Sequence, residues 1–268
     1  MDKFIIEGGV PLKGEVTPGG NKNAALPMLA AALLTEETVT LHNVPNIRDI
    51  WDMRKLLTSL GVKIEDLGDN SWNITAKNIR PSSLDADLCA RIRASILLAG
   101  PMLSRVGEIH LPPPGGDVIG RRRLDTHFLA LKALGAEVDY QRALDFKTEK
   151  RLQGADILLD EASVTGTENT VMAAVAAKGT TIIRNCTSEP HVQELCQLLV
   201  KMGAKISGIG SNTLVVEGVE TKKQLAELDR LGCLFIQGYI YSEPVIPYQL
   251  EAAGWAIGNE TLDQHLES

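Results

Sequence analysis

Leu56-Leu57-Thr58-Ser59-Leu60-Gly61-Val62-Lys63-Ile64 decides the fold, because the chain repeats its pattern. It returns as Leu129-Ala130-Leu131-Lys132-Ala133-Leu134-Gly135-Ala136-Glu137-Val138 and again as Leu198-Leu199-Val200-Lys201-Met202-Gly203-Ala204-Lys205-Ile206. In each copy, apolar residues at helical spacing run into a glycine suited to a left-handed C-cap, and alternating strand residues follow. The capping glycines 61, 135 and 203 lie 74 and 68 positions apart. A second element keeps step with the first. Residues 23–34 read as an Ala/Leu helix leading to a strand at 38–41, residues 92–103 lead to 108–111, and residues 168–177 lead to 180–183. Further strands are expected at 72–74 and 213–216. Three units of helix, strand, helix and strand on one period are expected to share a single core. Residues 28–34 and 171–177 have almost no polar face, so those helices must be buried all round. The fold expected is α/β (α+β), with helices inside and sheets outside.

Composition sets the outer bounds. The chain has 268 residues, of which 44% are hydrophobic and 23% charged, ordinary values for a globular protein. Aromatics are only 4%, so the core must be built from Leu, Ile, Val and Ala. The formal charge of -7 argues against a general nucleic-acid binder, although it leaves room for a local cationic pocket. Cys89, Cys186, Cys196 and Cys233 match neither a disulfide framework nor close-spaced zinc ligands, and read as reduced core thiols. The N-terminus shows no basic region followed by a hydrophobic run, and no segment reaches the roughly 20 apolar residues that cross a bilayer. A cytoplasmic location with no membrane partner is the expectation.

Four segments offer chemistry. Gly19-Gly20-Asn21-Lys22-Asn23 opens a helix, and Lys22 places a cation where helix amides already favour an anion; a plain surface lysine after a glycine turn reads equally well. Arg91 and Arg93 stand at an expected helix start, where positive charge is unfavourable unless an anion compensates. Pro112-Pro113-Pro114-Gly115-Gly116-Asp117-Val118-Ile119-Gly120-Arg121-Arg122-Arg123 reads as a loop closing over a site with one acid and three arginines, or as a rigid surface loop. An acid shielded from water there would hold its proton and serve as a donor. Ser163-Val164-Thr165-Gly166-Thr167-Glu168-Asn169 brings hydroxyls and amides to the third buried helix, as a cap or as a phosphate or uracil contact. No Walker A, dinucleotide-binding or His-x-x-x-His pattern occurs, so neither a cofactor nor a catalytic metal is expected.

Together these strings, with Ile6-Glu7-Gly8-Gly9 and Arg93-Ala94-Ser95-Ile96, resemble the UDP-N-acetylglucosamine 1-carboxyvinyltransferase family of enolpyruvyl transferases over about residues 1–220. The resemblance implies two lobes, each of three similar units with buried helices and outer sheets. Residues 21–220 would be close to one lobe; residues 1–20 and 221–268 would form an incomplete second lobe or a substitute α/β tail. It implies transfer of an enolpyruvyl group from phosphoenolpyruvate to the 3-hydroxyl of UDP-N-acetylglucosamine, in peptidoglycan precursor synthesis. By position, Lys22 and Asn23 resemble the substrate-contacting pair, and Arg93 and Arg122 the phosphoenolpyruvate grip. Ser163, Val164 and Gly166 resemble uridine diphosphate contacts, with Arg123, Leu124, Asp125 and His127 on the uracil side. Asp117 takes a loop position that is cysteine in many members, keeping a proton donor but losing the nucleophilic thiol.

The sequence departs from that family after Glu220, where no counterpart of the second-lobe catalytic aspartate and arginines is found. Glu217-Gly218-Val219-Glu220-Thr221, Gln237-Gly238-Tyr239 and Ser242-Glu243-Pro244 instead resemble the end of a Glu-Ala-Leu-type cyclic-di-GMP phosphodiesterase domain over about residues 217–255. The metal ligands of that enzyme are absent. Three readings stay open: a fused or chimeric chain, a non-catalytic UDP-sugar-binding or interaction protein, and an enzyme active with a complementary chain that provides the missing lobe; a homo-oligomer or a complementary chain is the partner expected.

Overall fold

The computed structural model describes residues 3–9, 11, 13–80, 84–116, 123–140 and 143–217. Its first unit runs α1 (Lys22–Ala31), a 3₁₀ turn (Ala32–Leu34), β1 (Thr38–Leu41), α2 (Arg48–Ser59), β2 (Lys63–Gly68) and β3 (Ser71–Thr75). The second runs α3 (Ala86–Arg91), a 3₁₀ segment (Arg93–Leu98), α4 (Ala99–Arg105), β4 (Glu108–Leu111), α5 (Asp125–Ala133), β5 (Glu137–Asp139) and β6 (Leu144–Lys147). The third runs β7 (Asp156–Leu158), α6 (Val164–Ala174), β8 (Thr180–Arg184), α7 (Pro190–Lys201), β9 (Lys205–Ser207) and β10 (Thr213–Glu217).

Each unit folds its strands in the same order. The sheets are β1-β3-β2, β4-β6-β5 and β7-β8-β10-β9, so the last strand of each unit lies between its two predecessors. All these pairings are antiparallel except β7 with β8. Burial alternates along β1, β4, β8 and β10, which sets one face of each sheet on the core and one in water. The helices fill the middle. In the α1 region every residue from Ala24 to Leu34 except Met28 is buried, as an all-apolar helix requires. The 3₁₀ segment and α4 are buried from Ala94 to Leu103, and α6 from Gly166 to Ala174. Helices α1, α6 and the 3₁₀ segment pack on one another, while α2, α5 and α7 bury only one stripe each. The inside-out α/β lobe expected from the sequence is the architecture observed.

The repeated glycines act as read. Gly61, Gly135 and Gly203 have φ of 95°, 99° and 101°, and the next amide bonds back to Leu57, Leu131 and Leu199 respectively. A buried helix also needs its terminal carbonyls satisfied. Arg105 donates to Leu33 O at 3.0 Å and to Ala76 O at 3.3 Å, closing the α1 end. Arg151 donates to Ala176 O at 2.8 Å and Ala177 O at 3.3 Å, closing the α6 end. Arg105 comes from the second unit and Arg151 from the link between the second and third, so both bonds tie separate parts of the chain together. Cys89, Cys186 and Cys196 are buried free thiols, held up at about 11, 11 and 12 chiefly by burial; Cys233 lies outside the described residues.

Several expectations are corrected. Residues 92–103 are not one helix: α3 ends at Arg91, Ile92 is extended, and a 3₁₀ turn begins at Arg93. The third buried helix starts at Val164 instead of Glu168. Strands β6 and β7 were not anticipated. The strand expected at residues 4–6 is not formed; Phe4, Ile5 and Ile6 are 93%, 92% and 87% exposed. The tail elements expected beyond residue 220 lie outside the described residues. No helix among the described residues is long and apolar enough to cross a membrane.

One buried acid conflicts with its surroundings. Glu168 on α6 is 2% exposed, and its Oε1 has no hydrogen-bond partner. Burial, with a smaller push from Glu189, raises its carboxyl from 4.5 to about 8. The fold therefore holds a proton that the unfolded chain has already lost between those values. Stability from this group is full below about pH 4.5 and is lost as pH rises to about 8. Thermal melts should show Glu168→Gln close to the parent at about pH 5 and several degrees higher at about pH 8.5.

Candidate functional site

The 3₁₀ break at Ile92 is where the site begins. Gly115 N donates to Cys89 O and Gly116 N to Ala90 O, each at 3.0 Å. In a continuous helix those carbonyls would take the amides of residues 93 and 94. The incoming strand of the Pro/Gly-rich loop has displaced them. A Cβ at Gly115 would fall 1.8 Å from Ala90 O, so only glycine permits the approach.

Arg93 gathers both stems of the loop. A Cβ on Gly116 would lie 3.2 Å from Arg93 N, and Arg93 Nη2 donates to Arg123 O at 3.0 Å. Asp117 and Arg122, the acid and the arginine expected to act together, fall outside the described residues, but their sequence neighbours Gly116 and Arg123 both meet Arg93. Arg123 is held by Asp125 at 2.6 Å and Asp160 at 3.3 Å, and these acids raise its pKa further.

From there contacts run to the N-terminus of α6. Thr126 donates to Asp160 at 2.6 Å. His127 Nε2 meets Thr165 Oγ1 at 3.2 Å, and its Nδ1 meets Asn169 Nδ2 at 3.1 Å. Ser163 is the N-cap of α6 and accepts from Gly166 N at 3.2 Å. A Cβ on Gly166 would sit 3.0 Å from Thr126 Cγ2, so this glycine lets the two helix starts touch. Burial, then the charge of Arg93, drives His127 down to about 3, and the ring is neutral throughout the physiological range. Arg93, Arg123, Thr126, His127, Ser163 and Gly166 thus form one connected set, with Leu124 and Val164 partly exposed beside it and Asp125 open to solvent.

Lys22 and Asn23 open α1 at exposed positions, behind the Asn21 cap. Lys22 Nζ pairs with Asp49 Oδ2 at 3.0 Å. Asp49 was not anticipated as a site residue. Its sequence signal, an acid in the first turn of α2, reads as ordinary helix-dipole compensation. Thr126 and Asp160 carry no signal in the sequence, and Asn169 stands in the segment already singled out without a role of its own, because only the tertiary fold brings them to His127 and Arg123. No group of three His, Cys, Asp or Glu side chains suited to a metal occurs among the described residues.

Residues 6–229 match the family model of EPSP synthase (3-phosphoshikimate 1-carboxyvinyltransferase). The chain belongs to this enolpyruvyl transferase family. Among curated relatives it is 58% identical over 219 residues to a UDP-N-acetylglucosamine 1-carboxyvinyltransferase of Bradyrhizobium diazoefficiens, covering 82% of this chain and 51% of that protein. The enzyme of the same name from Treponema denticola is 56% identical over 220 residues, with the same coverage. The chain spans about half the length of the curated relatives it matches. The solved enolpyruvyl transferase NikO of Streptomyces tendae shares the fold at a TM-score of 0.67 and 22% identity, over 79% of this chain and 50% of that one. The resemblance of residues 217–255 to a phosphodiesterase domain lies almost wholly outside the described residues.

The loop anchor gives a direct test. Gly115→Ala cannot keep both carbonyl bonds, and should cost about 1–3 kcal/mol in urea unfolding. Hydrogen exchange at residues 115 and 116 should rise sharply while that of α1 is unchanged; unchanged exchange at both positions would remove the anchor from the account.

Proposed function

We propose that this enolpyruvyl transferase lobe binds UDP-N-acetylglucosamine and phosphoenolpyruvate, and serves enolpyruvyl transfer to the sugar 3-hydroxyl in peptidoglycan precursor synthesis. The observation that carries the reading is the connected set from Arg93 to Gly166. It places guanidinium groups at the stems of the loop and a capped helix N-terminus beside a neutral histidine. The identity of more than half of the residues to enzymes of that name supports the choice of sugar nucleotide.

In this reading the sugar hydroxyl gives up its proton to a base and attacks C2 of phosphoenolpyruvate while C3 gains a proton; the tetrahedral intermediate then loses a C3 proton as it expels phosphate, which leaves the enol ether. Lys22, Arg93 and Arg122 neutralise phosphate and carboxylate as charge moves between them. Asp49 holds the Lys22 ammonium in place until an anion competes for it. Asp117 supplies the proton or assists phosphate departure. Ser163, Val164 and Gly166 take the diphosphate at the start of α6, where amides and helix dipole favour an anion. Arg123, Leu124, Asp125 and His127 flank the uracil. The aspartate and further arginines that the resemblance assigns to a second lobe have no counterpart among these residues.

A second reading, a UDP-sugar-binding protein without turnover, draws on the capped start of α6 beside the neutral His127, an arrangement that can hold a nucleotide without taking part in chemistry. Two measurements separate them. Calorimetric titration of the 268-residue chain with UDP-N-acetylglucosamine should show weak binding, and an absence of heat at millimolar ligand would defeat both readings. Phosphate release from phosphoenolpyruvate by the chain alone should be undetectable, since the loss of even one charge-stabilising donor costs about 3–4 kcal/mol. Release within tenfold of a full-length relative would mean that this chain completes the site itself.

A further inference from the structure

Asn169 is fully buried in α6, and its carboxamide orientation follows from its partners. Oδ1 accepts from Gly100 N at 2.7 Å, so Nδ2 is the atom that donates to Ile96 O at 3.1 Å. The same Nδ2 lies 3.1 Å from His127 Nδ1. A carboxamide nitrogen has no lone pair to offer, so the ring nitrogen facing it must be the acceptor. The imidazole proton then sits on Nε2 and is donated to Thr165 Oγ1 at 3.2 Å. Having accepted that bond, the Thr165 hydroxyl still has its own proton to give.

Thr165 occupies the first turn of α6 and is partly exposed, in contrast to the buried pair behind it. Beside it Gly166 N donates to the Ser163 hydroxyl and Thr167 N to Ser163 O, so the Thr165 hydroxyl is a donor in addition to those the helix start offers. We infer that Asn169, acting through His127, is a positioning residue that holds the Thr165 hydroxyl as a directed donor to an acceptor oxygen of the bound uridine diphosphate. This rests on the uridine-nucleotide reading of the site. Burial of the ring keeps the relay in one protonation state, since a charged or inverted imidazole would remove the order in which the bonds run.

The relay makes a specific pattern of outcomes. In the full chain, nitrogen-correlated imidazole spectra should show His127 as the Nε2–H tautomer alone, without titration between about pH 5 and about pH 8. Thr165→Val, which keeps the shape and removes the hydroxyl, should weaken UDP binding about 3- to 10-fold, the scale of one hydrogen bond. Asn169→Asp presents only acceptor oxygens, which draws the ring proton to Nδ1 and makes Nε2 accept the Thr165 proton. Its UDP affinity should fall by a similar factor, and the double variant should fall no further than either single one. A purely structural role for Asn169 would instead give losses that multiply. An Nδ1–H tautomer in the parent, or unchanged UDP affinity in Thr165→Val, overturns the inference even if Asn169→Asp fails to fold. If the parent chain binds no UDP, the uridine reading itself falls and takes the assigned donor with it. If the parent binds and Thr165→Val binds equally, the inference alone falls.

Discussion

Helical stretches buried on nearly every side, residues 24–34, 94–103 and 166–174, impose the architecture. An element such as Ala24–Leu34 cannot lie on the outside of a sheet, because its outward face would leave apolar area in water at about 25 cal/mol per Å². The solution adopted is to place such helices at the centre and let three small sheets carry the solvent boundary. Every other feature follows from that choice. The amphipathic helices α2, α5 and α7 fill the space between sheet and centre, and the buried helix ends require partners that the helices themselves cannot supply.

Those ends are treated differently at the two poles. At the carbonyl ends, Arg105 of α4 reaches Leu33 O, and Arg151, from the link between the second and third units, reaches Ala176 O and Ala177 O. At the amide pole of α1 and α6 the caps are single side chains, Asn21 and Ser163, and the residues around them are polar and partly exposed. The carbonyl ends of these helices are thus closed by cations from elsewhere in the chain, and their amide ends by single polar caps.

The site depends on a break in regular structure. A continuous helix through Ile92 would have used the carbonyls of Cys89 and Ala90 internally, and the loop after β4 would have had no anchor there. Gly115 and Gly116 take those carbonyls, and Arg93 is consequently turned to face both loop stems. His127 then lies under the charge of Arg93 while buried against Asn169, two influences that act in the same direction to keep it neutral.

The sequence by itself determined the threefold repeat, the capping glycines and the buried helices, because each is written locally, as a period, a φ requirement or an absence of polar residues. It also marked the segments around Lys22, Arg93, Arg123 and Ser163, since cations and hydroxyls at helix starts stand out along a chain. Only the tertiary structure decided the rest. The end of α3 is set by amides more than twenty residues downstream, which no local period records. Strand β7 is three residues long and depends on pairing with β8 and the Arg184–Asp156 ion pair. Phe4, Ile5 and Ile6 have the composition of a strand, yet a strand exists only where a neighbour supplies its ladder, and among the described residues none does. Lys22 with Asp49, and His127 with Asn169 and Thr165, are pairings across different helices. Their residue types were visible in the sequence, but their hydrogen-bond directions follow from which groups the packing of buried helices brings together.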